Sequence, residues 1–181
     1  RESSMKPDLS EYKGKNVLIT GGAGFIGSHL VDRLMSAGNA ITVYDSLISG
    51  KVDFIKHHFG KSEFQFVEAD LLDFETLTGA MKGQETVWHL GGNTDIPGGR
   101  REVDLDLKNG TIDTHHVLEA MRQNGVGQIV FASTSTVYGE ITNEVTAENN
   151  GPCLPISLYG AGKLACEGLI TAYCHLFGLN A

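Results

Sequence analysis

Five short runs rich in β-branched and aromatic residues punctuate the chain: NVLIT (16–20), AITVYD (40–45), FQFVEAD (64–70), ETVWHL (85–90) and QIVFAST (128–134). Each reads as a strand. The segments between them carry helical periodicity, and helices are expected over 25–38, 73–82, 101–124 and 157–177, the first stopping at Gly38 and the third at Gly125. Strands that are apolar on both faces need a covering layer on each side. Strand–helix alternation with such strands specifies a parallel, doubly wound α/β sheet in one domain. Ligands of these sheets bind at the carboxyl ends of the strands, so the residues that end each strand are the candidates for function.

The first strand end carries TGGAGFIG, which leads directly into the first helix. Its glycines, Gly21, Gly22, Gly24 and Gly27, allow a tight turn and a close backbone approach to a pyrophosphate, while the free N–H groups of the helix stabilise the anion. Glycine is abundant overall, 23 of 181 residues against an average near ~7%. The second strand ends in Asp45, 21 residues after Gly24. A carboxylate at that place accepts hydrogen bonds from the adenosine ribose hydroxyls and repels a 2′-phosphate, which favours NAD over NADP. Asp70 ends the third strand in the same way, next to Leu71, and is expected near the adenine.

Charge and composition exclude several classes. With 22 acidic and 14 basic residues the net charge is -8, and the only basic cluster is the doublet Arg100–Arg101. That is no footprint for nucleic acid. The apolar runs are far shorter than the ~20 residues that span a bilayer, so no membrane segment is expected. The polar start lacks a signal-peptide core, and a cytoplasmic location is the expectation. Cys153, Cys166 and Cys174 are read as free thiols. No metal site is expected: His57 and His58 fall in a loop, His115 and His116 diverge around a helix, and none is spaced with an acid or cysteine. His89 is read as packing.

The last helical segment opens with SLYGAGK, which sets Tyr159 and Lys163 one helical turn apart. Residues four apart share a face, so the ammonium can sit beside the phenol. A cation ~5 Å away at an effective dielectric of ~20 stabilises a phenolate by ~3 kcal/mol. The plain alternative is a surface pair. Strand five ends in Ser133, Thr134 and Ser135, hydroxyls that could orient a substrate oxygen toward that phenol. The helix also carries an apolar stripe, Ala161, Ala165, Leu169, Ala172 and Leu176, read mainly as core.

Taken together, TGGAGFIG, VYDSLISG, EADLLD, VWHLGGN, VLEAMR, FASTSTVYGE and LPISLYGAGKLACEGLITAY resemble, in order and over nearly the whole chain, the extended short-chain dehydrogenase/reductase family of nucleotide-sugar epimerases and dehydratases. The resemblance implies a Rossmann fold with NAD and a catalytic set of Thr134, Tyr159 and Lys163. It implies cofactor contacts from Gly21, Gly24, Phe25, Ile26 and Gly27, from Asp45, Ser46, Leu47, Ser49 and Gly50, from Asp70 and Leu71, from Leu90, Gly91 and Gly92 onward to Thr94, and from Tyr159 and Lys163. Relatives that eliminate water or decarboxylate carry acids after the hydroxyl residue; Ser135 and Thr136 stand there in this chain. A UDP-sugar-type 4-epimerase is therefore the expected activity. A dehydratase or reductase of the same family and a non-catalytic NAD-binding module are the alternatives. The resemblance further implies a homodimer, a substrate-side asparagine near Asn109 or Gly110, and a sixth strand and a substrate lobe beyond residue 181. Gly162 and Gly168 depart from the family pattern and imply a looser active-site helix, each helical glycine costing ~1 kcal/mol relative to alanine.

Overall fold

A five-stranded parallel sheet in the order β3-β2-β1-β4-β5 organises the computed structural model, which describes residues 13–140 and 145–181. Its strands are β1 (Asn16–Thr20), β2 (Ala40–Asp45), β3 (Phe64–Glu68), β4 (Thr86–His89) and β5 (Gln128–Phe131). The helices are α1 (Phe25–Ser36), α2 (Phe74–Ala80), α3 (Asp113–Asn124) and α4 (Leu158–Phe177). This is the Rossmann order, with its reversal of direction at β1. β1 and β2 have the expected limits. β3, β4 and β5 are shorter than predicted, because their final residues leave the ladder to form the loops that carry function.

β1 shows why both faces are apolar. Leu18 packs with Val87, Val117, Leu118 and Ile129 beneath α3 and α4, whereas Val17 and Ile19 pack with Val31, Leu34 and Val43 beneath α1. All three β1 side chains are completely buried. Side-chain alternation along a strand thus feeds two cores, one on each side of the sheet. Beyond β5, Asn180 bridges Gln128 in parallel register, with Ile129 N–H donating to the Asn180 carbonyl at 2.9 Å. The sheet therefore already has its first pairing where a sixth strand was expected.

Two helical expectations need correction. The third helix does not begin at 101. Residues Leu107–Ile112 form a wider π-type turn, kinked at Asn109 (φ -91°, ψ 34°), and regular α-helix starts only at Asp113. The kink frees the Asn109 carbonyl to accept from Asn93 N–H at 2.8 Å. In α4 the predicted apolar stripe faces the wrong way. Ala161, Ala165 and Ala172 are exposed and Leu176 is 72% exposed; only Leu169 packs partly on the core. The buried face is instead Gly160, Lys163, Cys166, Ile170 and Tyr173. Small and polar residues hold that face because α4 packs closely against backbone: a Cβ on Gly160 would lie 2.7 Å from the Thr136 carbonyl oxygen.

A third correction concerns the histidines. His57 and His58, from a short 3₁₀ turn, both reach Asp32 Oδ1 on α1, at 2.7 and 2.6 Å. Lys61 Nζ also lies 2.9 Å from His58 Nδ1. An ammonium can only donate, so His58 Nδ1 accepts and Nε2 carries the proton toward Asp32. The cluster is a hydrogen-bonded tether between the loop and α1, and its ligand atoms lie within 4.8 Å of one another. No helix among the described residues is long and apolar enough to cross a membrane.

Gly168 is exposed, and a Cβ there meets nothing within 4 Å. Gly168→Ala should therefore stabilise the protein by ~1 kcal/mol and raise Tm by roughly 2–4 °C in a thermal melt. A fall in Tm would contradict the open environment of this residue.

Candidate active site

One cavity of about 810 Å³ runs along the carboxyl ends of the strands. The turn after β1 forms its floor. Gly21 has φ +68°, a left-handed conformation, and a Cβ there would lie 2.8 Å from the Gly91 nitrogen. A Cβ on Gly27 would collide with the Gly21 carbonyl oxygen. The turn therefore folds back on the first turn of α1 with no room for any side chain, which leaves the N-terminal amides of α1 open toward the cavity. Phe25 and Ile26 lie beside them, 73% and 70% exposed and lining the space. Such a cradle fits a pyrophosphate.

Asp45 is buried, and both of its oxygens are already oriented: Oδ2 accepts from Ala23 N–H and Oδ1 from Leu47 N–H, each at 2.9 Å. Ser46 and Ser49 line the cavity with it. Leu47 and Gly50 do not. Leu47 adopts φ +59° to present its amide to Asp45, and a Cβ on Gly50 would lie 2.7 Å from the same carboxylate. These two residues shape Asp45 rather than the wall. Asp70 and Leu71 line the next strand end, with the Asp70 carboxylate accepting from Leu72 N–H at 2.8 Å. Leu90, Gly91 and Gly92 close the floor after β4, where Gly91 N–H donates to Thr20 Oγ1 at 3.0 Å.

Tyr159 and Lys163 line the opposite end of the same cavity. Ser157 caps α4, its hydroxyl accepting from Gly160 N–H at 3.0 Å, and so fixes where the first turn places Tyr159. Lys163 is 7% exposed, donates to the Ala132 carbonyl at 2.9 Å and lies 4.6 Å from the Phe131 ring centroid. Burial holds its ammonium below the usual lysine range. No carboxylate forms an ion pair with it among the described residues. An uncompensated buried cation stabilises any anion that forms beside it.

The hydroxyl residues of the β5 end divide. Ser133 lines the cavity and hydrogen-bonds Glu167. Thr134 is not among the lining residues; it caps a short 3₁₀ turn, its Oγ1 accepting from Thr136 N–H at 3.3 Å. Asn109 lines the wall through the kinked turn, whereas Gly110 borders only a small side pocket. His89 is fully buried between Thr20 Oγ1 (2.7 Å) and Thr114 Oγ1 (3.0 Å), and burial lowers its pKa to about 3. It is a neutral packing group, as its position in β4 predicted. Tyr44, Asp95, Leu105 and Asp113 also line the cavity and escaped the sequence analysis. Tyr44 and Leu105 look like core residues in sequence, and the two aspartates look like surface or cap residues.

If Asp45 reads a ribose, Asp45→Ala should lower the ratio of NAD to NADP affinity at least ~10-fold, the discrimination expected of a charged hydrogen-bonding group. Titration of both dinucleotides by fluorescence quenching measures it. An unchanged ratio would show that Asp45 holds only the turn.

A profile of the NAD dependent epimerase/dehydratase family matches residues 17–181. The UDP-glucose 4-epimerase of Mycolicibacterium smegmatis is 36% identical over 169 residues, covering 90% of this chain and 52% of that one. UDP-glucuronic acid decarboxylase 1 of Danio rerio is 33% identical over 178 residues, covering 95% and 41%. Among solved structures, the UDP-N-acetylglucosamine 4-epimerase of Methanobrevibacter ruminantium M1, in complex with UDP-N-acetylmuramic acid, superposes with a TM-score of 0.86 at 33% identity, covering 93% of this chain and 53% of that one. The chain thus spans about half the length of these relatives. With the glycine cradle, the paired strand-end aspartates and the Tyr159–Lys163 wall on one cavity, it belongs to the NAD-dependent epimerase/dehydratase family.

Proposed function

We propose that this chain forms the cofactor-binding half of a nucleotide-sugar 4-epimerase. The observation that carries the reading is the buried Lys163 ammonium, without a carboxylate partner among the described residues, on the same cavity wall as Tyr159. In this reading Tyr159 takes the proton of the sugar 4-hydroxyl as a phenolate, and Lys163 stabilises that phenolate. NAD, when bound, supplies reversible hydride acceptance at the sugar carbon. Tyr159 later returns the proton to the 4-keto oxygen after the sugar has presented its other face. Gly21, Gly24 and Gly27 would hold the pyrophosphate, Asp45 the ribose hydroxyls, and Ser46, Ser49, Asp70, Leu71 and Leu90 to Gly92 the flanks of the dinucleotide.

Ser133, the hydroxyl of the β5 end that lines the cavity, would orient the substrate oxygen, with Thr134 capping the turn behind it. Ser135 and Thr136, where an eliminating or decarboxylating relative needs acids, support the epimerase over the dehydratase and decarboxylase readings. The substrate would be a nucleotide sugar, completed by residues that the longer relatives possess and this chain does not span. We also infer a homodimer, with the exposed Ala161, Ala165, Ala172 and Leu176 of α4 as its apolar surface. The expected compartment is the cytoplasm.

The test is to release NAD by denaturation and to assay UDP sugars for 4-epimer formation with wild type and Tyr159→Phe. Turnover should fall ~10²–10⁴-fold in the variant while NAD stays bound, the usual contribution of a general acid–base. Equal turnover in Tyr159→Phe would refute the assignment.

A further inference from the structure

Asp32, His57 and His58 cluster outside the lining of the dinucleotide cavity. Asp32 stands on α1, and the two histidines come from the 3₁₀ turn of the β2–β3 connection, 25 and 26 residues later. Both Nε2 atoms meet the same carboxylate oxygen, and the two rings lie 4.1 Å apart between centroids. A ring N–H that donates to Asp32 points along the axis on which the unprotonated nitrogen carries its lone pair. The hydrogen bonds therefore aim two ring nitrogens and one carboxylate oxygen at one small region. A four-coordinate Zn²⁺ with bonds of ~2.0–2.1 Å holds its ligand atoms about 3.3 Å apart. The contacts of 2.7 and 2.6 Å need open by only roughly 0.6–0.7 Å to admit it.

We infer that Asp32, His57 and His58 are a binding site for a late first-row divalent cation, Zn²⁺ foremost, which fastens the β2–β3 connection to α1. Two imidazoles and one carboxylate suit zinc, whereas Mg²⁺ and Ca²⁺ take oxygen donors. Three protein ligands leave the fourth position to water. The His58 side chain is 6% exposed and lies against the Phe64 ring, centroids 5.4 Å apart, while His57 and Asp32 are half-exposed. Packing thus fixes one ligand, and the other two face the solvent from which the ion and its water enter.

The neighbouring lysine competes with the ion. On metal binding each neutral imidazole moves its proton from Nε2 to Nδ1, so neither ring loses a proton overall. At His58 that proton would face Lys61 Nζ, 2.9 Å from Nδ1. Lys61 is exposed, and its ammonium swings into solvent when the ion binds. Lys61 therefore favours the tautomer of the hydrogen-bonded tether, and the cation favours the other. The site joins elements that already share a core, since Ile55, just before the turn, is completely buried with Val31 and Leu34 of α1. Unfolding separates Asp32 from the histidines, so the ion binds the folded state in preference and stabilises it.

The experiment titrates chelator-treated protein with Zn²⁺ and, in parallel, with Mg²⁺, by calorimetry and by thermal melting. Wild type should bind one equivalent of Zn²⁺ at this site saturably and melt at a higher temperature with it, and Mg²⁺ should do neither. His57→Ala and Asp32→Asn, both at half-exposed positions, should each bind Zn²⁺ at least about tenfold more weakly and lose the rise in Tm. Lys61→Gln keeps all three ligands and removes the competing ammonium, so it should bind Zn²⁺ about threefold or more tightly than wild type. Should either ligand variant fail to fold, Lys61→Gln carries the test. Absence of saturable Zn²⁺ binding to folded wild type overturns the inference. Equal affinity in wild type, His57→Ala and Asp32→Asn also overturns it and puts the ion on other residues, as does weaker binding in Lys61→Gln than in wild type.

Discussion

The backbone approach between Gly21 and Gly27 is the contact on which the rest of the site depends. Because a Cβ on Gly27 would strike the Gly21 carbonyl oxygen, the turn after β1 and the first turn of α1 can only be this close with glycine at both places. That closeness brings the helix amides to the cavity floor and brings Ala23 N–H within 2.9 Å of Asp45 on the neighbouring strand. The glycine turn and the aspartate are therefore one unit. Asp45 orders the turn through Ala23 and the following loop through Leu47, so the carboxylate is aimed before any ligand arrives. Preorganisation of this kind lowers the ordering cost of binding.

At the other end of the cavity the controlling quantity is charge. Lys163 sits on the buried face of α4 against the Ala132 carbonyl and the Phe131 ring. Carbonyl dipoles and a ring face tolerate an ammonium but do not neutralise it. A carboxylate there would satisfy the lysine and leave it indifferent to the phenol. Asp45 and Asp70, at the ends of β2 and β3, line the same cavity. The cavity thus has carboxylates at the ends of β2 and β3, suited to accept from hydroxyls, and a cationic wall at α4 suited to a developing phenolate.

The packing of α4 joins the two ends. Its N-terminal turn is pressed on the Thr136 carbonyl through Gly160, and a Cβ on Gly162 would lie 3.2 Å from the Asp106 carbonyl. Gly162 thus marks a close approach between α4 and the kinked turn before α3, a tighter setting than the loose helix its glycine suggested. Gly168, by contrast, meets nothing, and the structure gives no reason for it. The kink at Asn109 serves the same junction, since it turns a carbonyl toward Asn93 and brings Asn109 into the wall.

The amino-acid pattern alone determined the alternation of elements, the parallel sheet, the glycine turn and the strand-end aspartates. Each follows from local rules: period, turn chemistry and a fixed spacing along one βαβ unit. The limits of β1 and β2 were legible because apolar runs end where the chain leaves the core. Tertiary structure alone decided the buried face of α4, where Gly160 and Lys163 are hidden because backbone contact and one buried charge leave no hydrophobic signature. It also decided the π-type turn before Asp113, the meeting of Asp32 with His57 and His58, and the exclusion of Leu47, Gly50 and Thr134 from the cavity lining. Those features depend on which distant backbone atoms lie opposite a side chain, and no spacing within a single segment encodes that.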